Sequence, residues 1–247
     1  MSNLNYLEDP PVFFDYWRQR LYFVTGLCPT VNEHEINVLC WSSLEALSLS
    51  WANTSGHREC EPFRRQKRRI YDLFLAAYGG PTYSRICLPD LWFRCERRLN
   101  ESPGSNGGHS FQLSLEQCSF LRLYQWRNPS VLEERETRQI SMDPTLEQIR
   151  DDLMAQFPGL SIEDISAWIS LSRYGSIAYN VMRCPYIHEG RTGTRSHSFA
   201  LHLSDSQPTY LSSVYSLNLR LGFAPAYIVN LLRVCIELFE ADISTQS

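Results

Sequence analysis

The chain has 247 residues, 43% of them hydrophobic and 13% aromatic, which is enough apolar side chain for one well-packed core or two small ones. Its formal net charge of −4 excludes a protein that coats nucleic acid through overall positive charge, while leaving room for a local basic cleft.

The first hundred residues carry four helical patterns. Pro10 and Pro11 open the first helix, which Gly26 ends, and Thr30 with Glu33 forms a capping box for the second. Apolar residues at three- and four-residue steps continue the second helix and mark the third and fourth. The predicted helices of this region are 10–25, 30–51, 61–78 and 90–99.

A loop and three more helices follow. Residues 100–110 are rich in Gly, Ser and Asn, which predicts a flexible loop; they lack the Lys-Ser/Thr ending of a phosphate-binding loop. Ser161 and Asp164 cap a long helix that runs to about Cys184. Residues 128–143 are charged and without a pattern. The predicted helices of this part are 113–126, 144–157 and 162–184.

Beyond this long helix the hydrophobic period becomes that of a strand. Apolar residues alternate with polar or small ones from His197 onward, and we expect this strand to pair with 210–215 across a turn. A third strand at 217–223 precedes a last apolar helix that starts at Pro225. The predicted fold class is mainly α, an antiparallel helical bundle with a small β insertion at about 196–223 before the last helix.

Nothing in the sequence predicts a membrane or secreted protein. Residues 1–11 lack the basic start and apolar stretch of a secretory signal, and the apolar stretch 227–239 is too short and too interrupted to span a bilayer. The eight cysteines form no Cys-x-x-Cys pair, and the six histidines lack the close spacings of zinc sites. We expect a cytoplasmic protein with free thiols, no metal or other cofactor and no membrane contact.

Arg183 and His188 stand five positions apart at the end of the long helix, and together they carry chemistry. An arginine can hold a phosphate through two parallel hydrogen bonds, and a histidine can move a proton near neutral pH. On a straight helix a five-residue step turns about 140°, so the two side chains face apart. Pro185 gives the helix a reason to bend and bring them together. A meeting across a dimer axis is the alternative.

The segment 179–190, with its Arg-x4-His spacing before a last apolar helix, resembles the HEPN family (higher eukaryotes and prokaryotes nucleotide-binding). The resemblance covers about residues 111–247, and the β insertion is similar to that of the Apea-like HEPN branch of phage-defence proteins. It implies a HEPN-like domain onto which an N-terminal helical region, 1–99, packs. It also implies a metal-independent endoribonuclease in a defence or toxin setting, acting on RNA as a homodimer, with an inhibitor or sensor protein as a possible further partner.

The resemblance also implies roles for the two residues. His188 acts as general base or acid, and Arg183 binds the phosphate and stabilises its developing charge. RNA supplies its own nucleophile, the ribose 2′-hydroxyl, so the expected product is a 2′,3′-cyclic phosphate. The chain departs from the family at Cys184, where active members commonly carry a polar residue, and at Gly190, where one branch has a tyrosine.

Two other readings of the same residues stay open. One is a non-catalytic HEPN-like module that binds nucleotide or protein, with Cys184 as the sign of lost activity. The other is structural: Arg183 pairs with Glu189 or Glu163, and His188 caps the helix C-terminus.

A basic run at 64–69 supplies further candidate substrate-binding residues. Arg64, Lys67 and Arg68 would share one helix face with Tyr71 and form a phosphate track. The alternative is a solvated face whose charge nearby acidic residues neutralise. Arg94, Arg97 and Arg98 form a second, weaker cluster with the same two readings.

The remaining candidates flank the motif. Tyr179, one turn before Arg183, orients the arginine or belongs to the core. Glu189 directly follows His188, and Arg191 and Arg195 lie in a loop whose glycines would let it approach a substrate or leave it a plain surface loop.

Overall fold

The computed structural model describes residues 9–100, 111–123, 140, 143–191, 196–197, 205–213 and 216–246. The predicted loop, apart from Asn100, and Arg195 lie outside these residues. The α-helices, in chain order, are α1 Pro10–Thr25, α2 Glu33–Ala52, α3 His57–Cys60, α4 Lys67–Tyr78, α5 Leu88–Asn100, α6 Leu115–Leu123, α7 Leu146–Gln156, α8 Ile162–Ile169, α9 Tyr174–Ala178, α10 Cys184–Glu189 and α11 Pro225–Gln246. The prediction of a mainly helical bundle is confirmed. Among these helices, none is both long enough and apolar enough to cross a bilayer.

Two buried clusters form the interior. The larger one joins α1, α2 and α4 to α9, α10 and α11, with Trp41, Phe74 and Phe239 fully enclosed. The smaller one joins α5 to α6, α7 and α8. Both clusters combine helices from before and after the predicted loop. Helices of the predicted N-terminal region, 1–99, pack with helices from after the predicted loop in each cluster: α1, α2 and α4 in the larger one and α5 in the smaller one.

The strands lie between the last two helices, at β1 Ser196–His197, β2 Thr209–Ser213 and β3 Ser216–Gly222. They form a sheet in the order β1-β3-β2, with β2 antiparallel and β1 parallel to β3. Ser196 and His197 pair with β3 and not with β2. The rest of the strand predicted to pair with 210–215 lies outside the described residues. Because β2 and β3 are antiparallel neighbours separated by only two residues in the sequence, they form a hairpin.

Two predicted helix starts also differ. The capping box of Thr30 and Glu33 does not form: α2 begins at Glu33, and the Thr30 hydroxyl lies 3.2 Å from the Cys28 sulfur. The helix predicted from residue 61 begins at Lys67, because Glu61–Phe63 forms a 3₁₀ turn with a proline in its first turn. Arg64 therefore does not belong to α4.

The long helix predicted at 162–184 is divided by a break. Ser161 caps α8 as predicted, but α8 ends at Ile169, a 3₁₀ turn follows, and the Arg173 backbone is extended (φ −69°, ψ 149°). The chain then resumes a helical course over 174–189, which we call the motif helix. Arg173 is held in this break by a buried ion pair to Asp72 of α4.

Asp72 fixes the start of the motif helix. Its carboxylate is fully buried and accepts hydrogen bonds from Arg173 Nε (3.0 Å) and from the backbone N–H of Ser176 (3.1 Å). A carboxylate at a helix N-terminus satisfies free N–H groups and is favoured by the helix dipole. Since Asp72 belongs to α4, this contact sets how α4 and the motif helix lie against each other.

Gly175 permits this close packing. A Cβ atom at Gly175 would lie 2.8 Å from Asp72 Oδ1 and 3.1 Å from its Cα. We expect Gly175→Ala to lower the free energy of unfolding, measured by urea titration, by about 1–3 kcal/mol through overpacking. Gly26→Ala is the control: the Cβ there would be 3.4 Å from its nearest neighbour. Equal losses in the two variants would contradict the prediction.

Candidate active site

The motif helix changes its winding just before the motif. Tyr179–Arg183 forms a π-helical turn, in which the N–H of Cys184 bonds to the carbonyl of Tyr179. In a regular helix Pro185 would leave a carbonyl four residues earlier without a donor and clash with it. The wider turn relieves this conflict, and Pro185 becomes part of the first turn of α10. The sequence predicted a bend at Pro185, and the structure has a π-helical turn directly before this proline.

The Arg183 and His188 side chains meet within one chain. Nη1 of Arg183 lies 3.3 Å from Nε2 of His188. A guanidinium has no acceptor, so Nη1 donates and Nε2 accepts, which places the imidazole proton on Nδ1. His188 is exposed, whereas the Arg183 side chain is only 11% exposed. The histidine of this pair is therefore open to solvent, whereas most of the arginine side chain is buried.

Glu45 of α2 holds the arginine. Its Oε2 accepts hydrogen bonds from Nε of Arg183 at 2.8 Å and from Nη2. Arg183 thus forms an ion pair, as the structural alternative predicted, but with Glu45 in place of Glu189 or Glu163. Glu189 pairs with Arg191, and Glu163 accepts a hydrogen bond from Ser161. Sequence reasoning missed Glu45, which is 138 residues from Arg183. Its one local signal is a charged residue beside the buried apolar face of α2.

Tyr179 lies beneath the arginine. The guanidinium carbon of Arg183 is 5.3 Å from the Tyr179 ring centroid, a cation–π distance. The same ring meets the buried ring of Tyr71 edge-on, with centroids 5.3 Å apart. Tyr179 therefore contacts Arg183 and also packs against the larger buried cluster, so its position fits both of the roles predicted for it.

The electrostatics keep Arg183 charged. Burial works to lower the pKa of Arg183, and its hydrogen bonds to Glu45 and to the Cys184 sulfur outweigh this effect and raise it. Burial, followed by the charge of Glu45, raises the pKa of Tyr179, against the opposing charge of Arg183. Arg183 is therefore a permanent cation above a neutral phenol.

Lys67 adds a second cation at the outer side of Glu45. Its Nζ lies 4.0 Å from Glu45 Oε1, and its side chain is 62% exposed. That oxygen is buried and accepts no hydrogen bond from any described residue. One oxygen of Glu45 is therefore bound to Arg183, whereas the other has the exposed side chain of Lys67 beside it.

The rest of the predicted phosphate track does not form. Arg64 is bound by Glu61 at 2.8 Å and by His57 at 2.6 Å, in the turn before α4. Tyr71 is fully buried. Arg64 and Tyr71 therefore do not share an exposed face with Lys67. Lys67 is the member of the predicted track that reaches Glu45, and Arg68 is half-buried in the first turn of α4.

Beyond the motif, Gly190 takes a left-handed conformation (φ 67°) and ends the helix. Glu189 and Arg191 are exposed and pair with each other at 3.0 Å, so neither contacts Arg183 or His188 in an ion pair. His34 of α2, which the sequence did not single out, would approach within 3.7 Å of a Cβ at Gly190 and lies near the ring of Tyr186.

The arrangement supplies a largely buried arginine, an exposed imidazole that contacts it through Nε2, and an exposed lysine. Across the described ranges, no group of three or more His, Cys, Asp or Glu side chains is placed to hold a metal ion. Among protein families, characterised proteins and solved structures, none matches this chain.

Proposed function

We propose that the chain is a metal-independent endoribonuclease of HEPN type, with Arg183 and His188 as its catalytic residues. The observation that carries the proposal is the 3.3 Å contact between Arg183 Nη1 and His188 Nε2 at the exposed end of the motif helix. A phosphate-binding cation and a proton carrier within hydrogen-bonding distance are what RNA cleavage without a metal requires.

The contact suggests the order of events. A phosphodiester oxygen is a stronger acceptor than an imidazole, so a bound phosphate takes the Nη1 donors and frees His188 Nε2. Nε2 then accepts the proton of the neighbouring 2′-hydroxyl as its oxygen attacks phosphorus. The bond to the 5′ oxygen breaks, that oxygen takes a proton from water, and Arg183 stabilises the charge that builds on the phosphoryl oxygens. The products are a 2′,3′-cyclic phosphate and a 5′-hydroxyl.

The test is incubation of the purified chain with total RNA in EDTA. We expect fragments with cyclic phosphate ends from the wild type and none from His188→Ala. Cleavage that needs an added divalent ion, or that persists unchanged in His188→Ala, would remove the proposal.

We infer further that the protein works in the cytoplasm as a homodimer, in a defence or toxin setting, under an inhibitor or sensor protein. This rests on the resemblance of the segment 179–190 to HEPN proteins. Sedimentation equilibrium of the purified chain checks the dimer, and a single monomeric species across the concentration range counts against it.

One observation favours the alternative, a non-catalytic HEPN-like module that binds nucleotide or protein. Glu45 already neutralises Arg183, and both side chains of the pair are about nine-tenths enclosed (11% and 10% exposed). A cation paired in this way offers a substrate phosphate little free charge. The catalytic proposal therefore needs Glu45 to position the guanidinium rather than to block it.

The substitution Glu45→Gln distinguishes the two functions, because the enzyme should lose cleavage activity whereas the binding module should bind RNA more tightly. We expect RNA cleavage to fall about tenfold, because the two hydrogen bonds that hold Arg183 are no longer made to a charged acceptor. Cleavage rates at saturating RNA measure this. Glu147→Gln, an exposed change on α7, is the control with the same change in charge. If Glu45→Gln instead tightens RNA binding and no cleavage occurs, the binding module is favoured.

A further inference from the structure

Glu45 has one carboxylate oxygen to which no described residue donates a hydrogen bond. Both hydrogen bonds from Arg183, from Nε at 2.8 Å and from Nη2, go to Oε2, whereas Oε1 is buried and accepts none. A carboxylate beside an arginine often uses both of its oxygens for the guanidinium. A buried charged oxygen without a donor is costly, so a donor that the chain does not supply is its natural explanation.

Lys67 lies on the side of this unused oxygen. Its Nζ is 4.0 Å from Glu45 Oε1, a distance at which opposite charges attract each other but which is too long for a hydrogen bond. Its side chain is 62% exposed. Lys67 is also the one lysine of the chain, whose other permanently charged side chains with a positive sign are arginines. The ammonium is therefore an exposed donor group that Glu45 holds only loosely.

Lys67 and Arg183 contact opposite oxygens of the same carboxylate, and Arg183 in turn lies 3.3 Å from His188. Two cations beside one anion leave one positive charge of these three groups in excess. Such an excess attracts the phosphates of a nucleic acid. Since the lysine side chain is 62% exposed and the arginine side chain 11%, the lysine is the first of the two cations that a phosphate meets.

An RNA strand carries groups that match this order. A ribose stands between each phosphate and the next, and its 2′-hydroxyl is both a hydrogen-bond donor and an acceptor. With one phosphate on Arg183 and the neighbouring phosphate on Lys67, the ribose between them lies beside Glu45. Its 2′-hydroxyl then supplies the donor that Oε1 lacks, and a DNA strand has no such group.

Access to Oε1 requires Lys67 to move, because this oxygen is enclosed in the structure and the lysine stands on its outer side. Lysine carries its charge on a flexible four-carbon stem. An exposed ion pair at 4.0 Å contributes little stability, so the lysine can turn toward a phosphate at small cost. Binding of the phosphate thus opens the way to the carboxylate oxygen.

We propose that Lys67 and Glu45 form a subsite for one ribose-phosphate unit of an RNA strand, next to the Arg183–His188 pair. Lys67 binds the phosphate, and Oε1 of Glu45 accepts a hydrogen bond from the ribose 2′-hydroxyl, which favours RNA over DNA. For the place of the neighbouring phosphate on Arg183 the proposal rests on the ribonuclease function. Selection of RNA over DNA is measured by binding alone.

The first test compares an oligouridylate with an oligodeoxyuridylate of the same length, which differ only in the 2′-hydroxyl. Both carry fluorescein, and the full chain with His188→Ala is titrated so that no RNA is cut during the measurement. We expect RNA to bind at least about tenfold more tightly than DNA, as one hydrogen bond to a charged group provides. Glu45→Gln should lower this ratio about tenfold. Its amide oxygen accepts from Arg183, so its NH2 group replaces Oε1 and cannot accept.

The ratio of the two affinities separates this role of Glu45 from the positioning of Arg183. A role confined to Arg183 changes the binding of both oligonucleotides alike and leaves the ratio unchanged, and so does a water molecule as the only partner of Oε1. Either result overturns the subsite. Glu147→Gln, the exposed change on α7 with the same change in charge, is the control and should keep the ratio.

The second test concerns the lysine. Lys67→Gln should weaken the binding of RNA and DNA alike, and the slope of log K against log salt should fall by about 1. Arg64→Gln is the matched control, since Arg64 is also 62% exposed but pairs with Glu61 at 2.8 Å. It should change neither quantity. Equal effects of the two substitutions would mean that Lys67 acts only through net charge, and would overturn the subsite.

The single lysine also permits a direct measurement. An N-hydroxysuccinimide ester of acetate modifies exposed amines, and peptide mass spectrometry follows the acetylation of Lys67 and of the α-amino group separately. We expect saturating oligouridylate to slow the acetylation of Lys67 in the His188→Ala chain and to leave that of the α-amino group unchanged. Acetylation of Lys67 at the same rate with and without RNA places the phosphate elsewhere and overturns the subsite.

The outcomes for the subsite and for the ribonuclease can be told apart. If the wild type cleaves RNA in EDTA while Glu45→Gln keeps the full preference for RNA over DNA, the subsite fails and the ribonuclease stands. If the preference depends on Glu45 while the wild type cleaves nothing, the subsite stands and the ribonuclease fails.

Discussion

Asp72→Asn should lower the free energy of unfolding by about 3–5 kcal/mol, as the loss of one partner of a buried ion pair does. Asp72 is fully buried, and its charge is the counterion of Arg173. The substitution leaves Arg173 buried without a counterion. It also places the N–H donors of the asparagine amide against the N–H donors of the guanidinium. A loss of this size is a large part of the stability of an ordinary domain, about 5–15 kcal/mol. Urea unfolding followed by far-UV circular dichroism measures it.

The control for Asp72→Asn removes the same charge from the surface. Asp151 pairs with its neighbour Arg150 at 2.8 Å and its side chain is 65% exposed. Asp151→Asn should change the free energy of unfolding by no more than about 0.5 kcal/mol. A loss below about 1 kcal/mol for Asp72→Asn would mean that water reaches the Arg173–Asp72 pair.

This ion pair also explains which parts of the fold the sequence could predict. The start of α1 at Pro10 and the cap of α8 at Ser161 are local signals, and both predictions are confirmed. The break at Arg173 has only a weak local signal, the serines and Gly175 that interrupt the apolar pattern over 170–176. Its cause is Asp72, 101 residues away in the chain. A contact between residues so far apart in the chain cannot be detected from the spacing of apolar residues along one helix.

The same distinction applies to the candidate site. Arg183 and His188 could be singled out because their spacing is local, and Pro185 gave a local reason for a bend. Glu45 could not, because nothing in the sequence of α2 shows which helix packs beside it. The phosphate track of Arg64, Lys67 and Arg68 was predicted from helical spacing alone. It failed in part because Pro62 lies in a 3₁₀ turn and α4 starts only at Lys67.

Glu45 changes how the Arg183–His188 pair has to be understood. Taken alone, an enclosed ion pair suggests a structural role for Arg183. Yet Glu45 binds only Nε and Nη2, and Nη1 is left facing His188. The carboxylate thus fixes the plane of the guanidinium and directs its remaining donor group toward the imidazole. A guanidinium held in this way binds a phosphate with little further ordering, and such preorganisation is a source of catalytic power.

His188→Ala should reduce the RNA cleavage rate by two to four orders of magnitude, the usual contribution of a general acid–base group. His188 is exposed, so the urea midpoint should not change. Arg183→Lys should also lose activity, about ten- to a hundredfold, because lysine keeps the charge but loses the planar fork that contacts Glu45 and His188 together. Single-turnover cleavage of a labelled RNA in EDTA measures both rates.

The control for His188→Ala is another exposed histidine. His57 bonds to Arg64 in the turn before α4, and His57→Ala should cleave at the wild-type rate. If both histidine variants lose the same activity, the loss does not arise at the motif. If His188→Ala keeps its rate while Arg183→Lys loses it, the proton is moved by another group, and His34 beside Gly190 becomes the first candidate to test. A loss confined to His188→Ala and Arg183→Lys is the result that the 3.3 Å contact predicts.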